Sequence, residues 1–591
     1  MTEVSSPVRP QPASSDVQRH FVRGRVSPRG VVWFGLRSFW GHLRHFIAAA
    51  IATEDIDSRD WMTPDVPETL LQRISGVLGA DTSAQDLVSA LGRDVWIDYI
   101  SDTGDDVSVS GAVAELLFQS YELPDPARPG EFVTAGRGDV LLFGGDTAYP
   151  VATALEITNR VLVPFNRAIE RHRDDKSRVL LGIPGNHDWY DGLDGFGRMF
   201  RVRDDGDDEP RPSLFGVSKR MLEHYARWAK ELVRGGKVEK PKALVLAGYT
   251  PVQNASYFAL PLSRHIHLIA ADRQLKNIDS RQRRFLSDWY LAHPHAAPWV
   301  LLPDPLFAFG APSRTGTQSV EALCLDFEAR PHFLLSGDIH HYERMGDGGL
   351  LHVIAGGGGA FLHPAPLFQG KQPAQVRWPN AAQSRPLLRT VPWKVARGRS
   401  GLLPHLAFAA LYGPALAFFK DVDERSGMIV AAPLTITVII TTVYSLIGGL
   451  RTHARQVIPL AFLTALLSAL IPAVASLSIG RLSATLGFHP AIWHVALLTL
   501  FVAVYCAVWL FGAYLSLLTR LGIEHTQAFT ALDHPGFKHF LRLRVRADGK
   551  TIDAWCIGLV DPLRTGERPV LVDHFSWDSE AAPEPVPSRR R

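Results

Sequence analysis

Four short segments of this 591-residue chain each bring a polar, ligand-type side chain to the end of an apolar run. Val140-Leu-Leu-Phe-Gly-Gly-Asp-Thr-Ala-Tyr149 delivers Asp146 and Tyr149, and Arg178-Val-Leu-Leu-Gly-Ile-Pro-Gly-Asn-His-Asp188 delivers Asn186, His187 and Asp188. Phe333-Leu-Leu-Ser-Gly-Asp-Ile-His340 delivers Asp338 and His340, and Trp96-Ile-Asp-Tyr-Ile-Ser-Asp-Thr-Gly104 delivers Asp102. Taken singly, each is ordinary turn or helix-capping chemistry. Four such turns directly behind strand-like runs are harder to dismiss. Together they offer carboxylate, amide carbonyl, phenolate and imidazole, a mixed oxygen and nitrogen set suited to Fe, Mn or Zn rather than to thiolate chemistry.

The elements that must position these side chains are short, fully apolar β-type runs, the layout of an α/β layered domain with a site at its strand ends. Gly356–Gly359 follows another such run, Leu350–Ala355, and lacks the Lys and Ser/Thr of a nucleotide-binding loop, so it reads as a turn passing close to the metal site. Near the C-terminus, Phe537–Arg546 alternates apolar and basic residues, Ala547-Asp-Gly-Lys550 reads as a turn, and Ile552–Val560 as a second strand. A lone hairpin is marginally stable, so this one is expected to pack on the soluble domain. Cys324, Cys506 and Cys556 are far apart and form no CxxC pair, which argues against a disulfide framework or a thiolate zinc site.

As an ordered set, Asp102, Gly145-Asp146, Gly185-Asn186-His187-Asp188 and Gly337-Asp338-Ile339-His340 resembles the calcineurin-like metallophosphoesterase superfamily, and within it the purple acid phosphatase style of site. The resemblance covers residues 90–360 and implies an α/β fold, an α/β/β/α sandwich with a dinuclear metal centre at the strand ends. It implies that Asp102, Tyr149 and His340 bind the first metal, that Asp146 bridges, and that Asn186 binds the second. Gly104 stands where the general family pattern has a histidine, and Tyr149 has the spacing of the tyrosine that replaces it in the purple acid phosphatase variant. The second site departs further. Pro303 stands where a histidine is expected, Asp338 replaces another, and the adjacent Asp304 either reaches the metal or caps a turn between two prolines. The implied cofactor is two divalent or trivalent ions, Mn, Fe or Zn. The implied chemistry is hydrolysis of a phosphomonoester or phosphodiester by metal-bound hydroxide. His187 would then serve beside the substrate, and Asp188 would either orient it or cap a helix.

Charge divides the chain. Residues 401–520 hold nine charged side chains, six basic and three acidic, leaving 56 of each sign elsewhere, so the net +3 resides in the apolar stretch. That balance excludes a strongly basic nucleic-acid binder. The uncharged runs Ser426–Leu450, Gln456–Gly480 and Leu482–Thr519 are each long enough to span a bilayer, and Ser400–Phe419, with Pro404 and Pro414, either spans or lies at the interface. Basic residues gather on flanks that four spans would place with the soluble part, and no secretory signal precedes it, which puts the catalytic domain in the cytoplasm of an integral (inner or plasma) membrane protein.

The expected organisation is a disordered N-terminus (1–28), a metallophosphoesterase domain (29–365), a basic Pro-rich linker (366–399), a transmembrane bundle of about four helices (400–520), a C-terminal β segment (521–577) and a disordered tail (578–591). The expected function is a membrane-anchored, metal-dependent phosphoesterase whose phosphate-ester substrate could be lipid-borne. The alternative is a catalytically impaired phosphatase-fold sensor or scaffold.

Overall fold

The computed structural model of the protein describes residues 21, 29–35, 63–202, 243–273, 278–347, 349–365, 374–418, 426–487 and 492–581. Most of the N-terminal stretch 1–28 and of the tail 578–591 lies outside these. In chain order the strands are β1 (Val95–Ile100), β2 (Tyr121–Pro124), β3 (Phe132–Ala135), β4 (Val140–Phe143), β5 (Arg178–Gly182), β6 (Tyr249–Pro251), β7 (Phe258–Pro261), β8 (Ile266–Ala270) and β9 (Ala297–Leu302). There follow β10 (Phe307–Ala308), β11 (Ala311–Pro312), β12 (His332–Ser336), β13 (Tyr342–Asp347), β14 (Leu350–Ala355), β15 (Val376–Trp378), β16 (Lys538–Val545), β17 (Thr551–Leu559) and β18 (Val570–Asp578).

Among the described residues these build two seven-stranded sheets, ordered β18-β17-β16-β1-β4-β5-β6 and β15-β13-β14-β12-β9-β8-β7. The centre of each is parallel: β1, β4, β5 and β6 in one, β14, β12, β9 and β8 in the other. Parallel strands are covered on both faces, which is why Val140–Phe143 and Ala297–Leu302 are buried throughout and read as unbroken apolar runs. Ile97, Leu142 and Leu181 of the first sheet share one core with Leu268, Leu301 and Leu335 of the second. The fold is thus mixed α/β with two facing sheets.

The C-terminal hairpin is β16 and β17, and the sequence reading missed its third strand, β18. β16 lies antiparallel beside β1, with Tyr99 opposite Leu541. Chain from beyond the apolar helices therefore completes the first sheet.

The stretch 366–399 differs from the expected linker. It carries β15, which pairs with β13, and a helix, Ala381–Ala396, that holds both Pro386 and Pro392 in its interior. Asn380 caps it reciprocally with Gln383, and Ser384, Leu388, Val391 and Val395 form a buried stripe at helical spacing. Packing of that stripe outweighs the two missing N–H donors.

The apolar region holds helices Leu403–Phe418, Ser426–Ile447, Leu450–Thr485 and Ile492–Arg520. Among the described residues two stretches, His453–Ala475 and His494–Arg520, are long and apolar enough to cross a membrane. The helix boundaries correct the expected runs. Leu482–Thr519 is not one element: Leu482 belongs to the preceding helix, which runs past Arg481 to Thr485, and Gly487 follows in the left-handed conformation that closes a helix. One arginine near a helix end costs little, so it did not mark a boundary. The helices are joined by Tyr514 Oη donating to the Tyr444 carbonyl (2.7 Å) and Tyr412 Oη to the Ser468 carbonyl (2.7 Å).

Candidate metal centre

Each predicted ligand turn sits at the C-terminal end of a parallel strand: Asp102 after β1, Asp146 after β4, Asn186 after β5, Asp304 after β9, and Asp338 with His340 after β12. Asp102, Asp146 and Asp338 all have positive φ (59°, 50° and 65°), a conformation aspartate tolerates better than most residues and one that clusters at functional sites. It turns the chain sharply at the strand end. Glycines make the room. A Cβ at Gly337 or Gly356 would stand 2.6 or 2.7 Å from Asp102 Oδ2, and one at Gly185 would overlap Asp146 Oδ1. The glycine run after β14 does pass against the site, with Gly358 N donating to the Ser101 carbonyl and Ala360 N to that of Asp102 (both 2.9 Å).

Tyr149 is the hub. Its hydroxyl lies 2.9 Å from Asp102 Oδ1, 3.1 Å from Asp146 Oδ2 and 3.0 Å from His340 Nε2, and His340 Nε2 is 3.3 Å from Asp102 Oδ1. Tyr149 N donates to the Gly104 carbonyl (3.0 Å), and a Cβ at Gly104 would stand 2.7 Å from the Thr147 carbonyl. The glycine at 104 thus admits the loop that carries the tyrosine.

His340 Nδ1 is 2.6 Å from the Phe361 carbonyl, which can only accept, so the neutral ring carries its proton there and turns a lone pair inward at Nε2. Tyr149 Oη, Asp102 Oδ1, Asp146 Oδ2 and His340 Nε2 consequently converge on one another. Burial, reinforced by the Asp102, Asp188 and Asp338 charges, pushes the Asp146 carboxyl well above its ordinary range. Burial, with Asp304 and Asp102, does the same to Asp338. Such a set is short of positive charge, and its donors suit a hard or borderline cation. Among the described residues no three His, Cys, Asp or Glu side chains alone make a metal-ligand group; the Tyr149 phenol is what joins these.

The second half is looser. Asn186 Nδ2 donates to Tyr190 Oη (3.0 Å), so its amide oxygen is the atom a cation would take. Asp304 Oδ2 is 2.8 Å from Arg273 Nε, an ion pair that sequence reasoning did not foresee. Asp338 N donates to Asp102 Oδ2 (3.0 Å), while its carboxyl feels Asp304 and Asp102 as neighbouring charges.

Of the two roles open to Asp188, orienting His187 or capping a helix, it takes the second. His187 Nδ1 faces the Pro150 carbonyl at 2.7 Å, and Asp188 instead accepts from Gly185 N (2.9 Å) and Thr147 N (3.3 Å). It caps the helix Asn186–Trp189 and holds the Asp146 loop against it, because a buried carboxyl at N3 meets unpaired backbone donors more readily than the ring beside it. Burial raises its pKa to about 6 even against those hydrogen bonds.

Also missed were Ser101, whose hydroxyl donates to Asp102 Oδ2 (2.7 Å), and Trp33, whose ring meets Phe361, His187 and Tyr149 at 5.0, 6.0 and 6.2 Å between centroids. Ser101 was adjacent to a ligand in sequence; Trp33 had no local signal at all.

No protein-family profile matches the chain, and no curated protein does. Among solved structures, "Structure of PhoD" aligns at 8% identity and TM-score 0.26 over 46% of this chain, which spans 58% of that one. "GAP50 the anchor in the inner membrane complex of Plasmodium" aligns at 11% identity and TM-score 0.25, over 48% of this chain and 78% of that one. Overall similarity at these scores is slight.

Proposed function

We propose that the chain is a membrane-anchored, metal-dependent phosphoesterase of the calcineurin-like kind. The observation that carries this is the convergence of four buried ligand-type side chains, Asp102, Asp146, Tyr149 and His340, within 2.9–3.3 Å of one another through the Tyr149 hydroxyl and His340 Nε2. These four would hold the first ion; Asp146, Asn186 and Asp338, with one oxygen of Asp304, would hold the second. When bound, two cations lower the pKa of water and neutralise charge on a phosphoryl group.

The remaining work belongs to the chain itself. Glycines 185, 337 and 356 let backbone close on the carboxylates and exclude bulk water. The Phe361 carbonyl fixes His340, and Ser101 fixes Asp102, so the ligands are oriented before anything binds. With Nδ1 of His187 committed to Pro150, Nε2 is the nitrogen that would meet a phosphoryl or leaving-group oxygen. It can donate there only as an imidazolium, which suits protonation of a departing alkoxide.

A second reading, a one-metal or non-hydrolytic sensor, is favoured by the Arg273–Asp304 ion pair, which takes one oxygen from the second site. Metal content and hydrolysis of p-nitrophenyl phosphate and bis-p-nitrophenyl phosphate, measured with Mn, Fe or Zn, separate the two. The phosphoesterase is expected to bind two ions and to lose at least about 100-fold in rate on Asp146→Asn. Folded protein with one ion and no hydrolysis would establish the sensor.

A further inference from the structure

One wall of the candidate site comes from chain that no motif marks. Gly30 N donates to Asp106 Oδ2 (2.9 Å) and Val31 N to Asp105 Oδ1 (2.6 Å), pinning this segment beside the loop after β1. Trp33 then covers Tyr149 and His187. The next residue leaves the site: Phe34 N donates to the Ser400 carbonyl (2.7 Å), its own carbonyl accepts from Leu403 N (3.0 Å), and its ring packs 6.1 Å from that of Phe511. A single peptide step therefore separates the ring over the metal ligands from the apolar helices.

The depth of that junction can be read from the helix Ile492–Arg520. Its 29 residues span about 43 Å, against about 30 Å of hydrocarbon, so roughly nine residues project. They project at the C-terminal end, where Ser516 Oγ donates to the Leu388 carbonyl (3.1 Å) and a Cβ at Gly512 would stand 2.7 Å from Pro392 Cα. Trp393 and Trp509 meet edge to face at 5.7 Å there, and Arg397 and Arg399 are exposed just beyond, the aromatic and basic composition of a membrane–water interface. Phe511 stands at this level, and with it Phe34 and Trp33.

We propose that the substrate is a phosphate ester borne by a lipid of the same bilayer, its head group entering beside Trp33 while its chains stay among the lipids. This rests on the phosphoesterase reading above. In the reaction water forms a new P–O bond, the ester P–O bond breaks, and the released alcohol takes the proton.

The test uses the full chain reconstituted in phosphatidylcholine vesicles doped with dioleoyl phosphatidic acid or dioleoyl phosphatidylglycerol, beside their dihexanoyl analogues and p-nitrophenyl phosphate in solution. For one of the two lipids the rate should follow its mole fraction in the bilayer at constant bulk concentration and exceed that of its short-chain analogue at least tenfold. Trp33→Ala should lower the bilayer rate at least tenfold more than the p-nitrophenyl phosphate rate. Hydrolysis of soluble esters as fast as bilayer esters, or equal loss on both in the variant, overturns the inference and leaves the phosphoesterase standing. Hydrolysis of no ester by metal-loaded protein overturns the phosphoesterase itself.

Discussion

Lys538 arrives from β16, on chain beyond the apolar helices, and is buried with no hydrogen-bond partner for its amine among the described residues. Burial depresses its pKa to about 7, although the Asp105 and Asp102 charges pull the other way. Cations bound beside Asp102 would depress it further. The unfolded amine titrates near 10.5, so between about 7 and 10.5 the unfolded chain holds the proton and the folded one does not. Stability from this group is therefore fully present at high pH and is lost as pH falls toward 7. The melting temperature is expected to rise from pH 7 to 9, by about 2–4 °C per kcal/mol in domains of 150–250 residues. Lys538→Met should melt higher at pH 7 and show a flatter profile; identical profiles for the two proteins would refute this. Of the carboxylates around this amine, Asp102 was legible in the sequence because it ended an apolar run, and Asp105 was not. Lys538, Trp33 and the Pro150 carbonyl were not, since only tertiary folding brings them to the site.

Between elements, the join of β16 to β1 rests on one side chain. Arg542 is wholly buried and uses all five N–H donors: two to Asp98 (2.7 and 3.1 Å) and three to the carbonyls of Leu117, Gln119 and Ala135. The first two of those carbonyls lie at the end of the helix Val107–Phe118, so the guanidinium also satisfies orphaned helix-terminal acceptors. Removing the cation alone strands the Asp98 carboxylate in the core. Arg542→Met is accordingly expected to cost about 3–5 kcal/mol, and Arg542→Met with Asp98→Leu appreciably less. Thermal melts, with hydrogen exchange of the β16 amides, check this; a single variant that melts like the parent would sink it. The alternation of residues 537–546 revealed this hairpin but not β1 as the strand it joins, because strand periodicity specifies a face and not a partner. The helix Ala381–Ala396 was obscured by its prolines, although its stripe of Ser384, Leu388, Val391 and Val395 was there to be read.

At the scale of the molecule, both ends of the apolar region are tied to one side of it. Chain enters where Ser400 accepts from Phe34, and leaves where Lys394 Nζ donates to Asp533 Oδ1 (2.5 Å) and Phe529 packs on Phe309 and His363. Entry and exit on one side require an even number of crossings. Among the described residues the two stretches long and apolar enough to cross, His453–Ala475 and His494–Arg520, already satisfy this as a pair. Helices Leu403–Phe418 and Ser426–Ile447, about 24 and 33 Å long, keep the number even only if both cross or neither does. Seven basic residues, Arg389, Lys394, Arg397, Arg399, Arg451, Arg455 and Arg520, fall on the side of the sheets and Arg481 opposite, from which the sheets are expected to face the cytoplasm. Exposed Cys324 reports the side of the sheets, and Leu486→Cys the other. In intact cells a membrane-impermeant maleimide is expected to label Leu486→Cys and spare Cys324, and permeabilisation should expose Cys324. Labelling of both from one side would break the parity argument, and labelling of Cys324 alone would invert the orientation while keeping an even number of crossings.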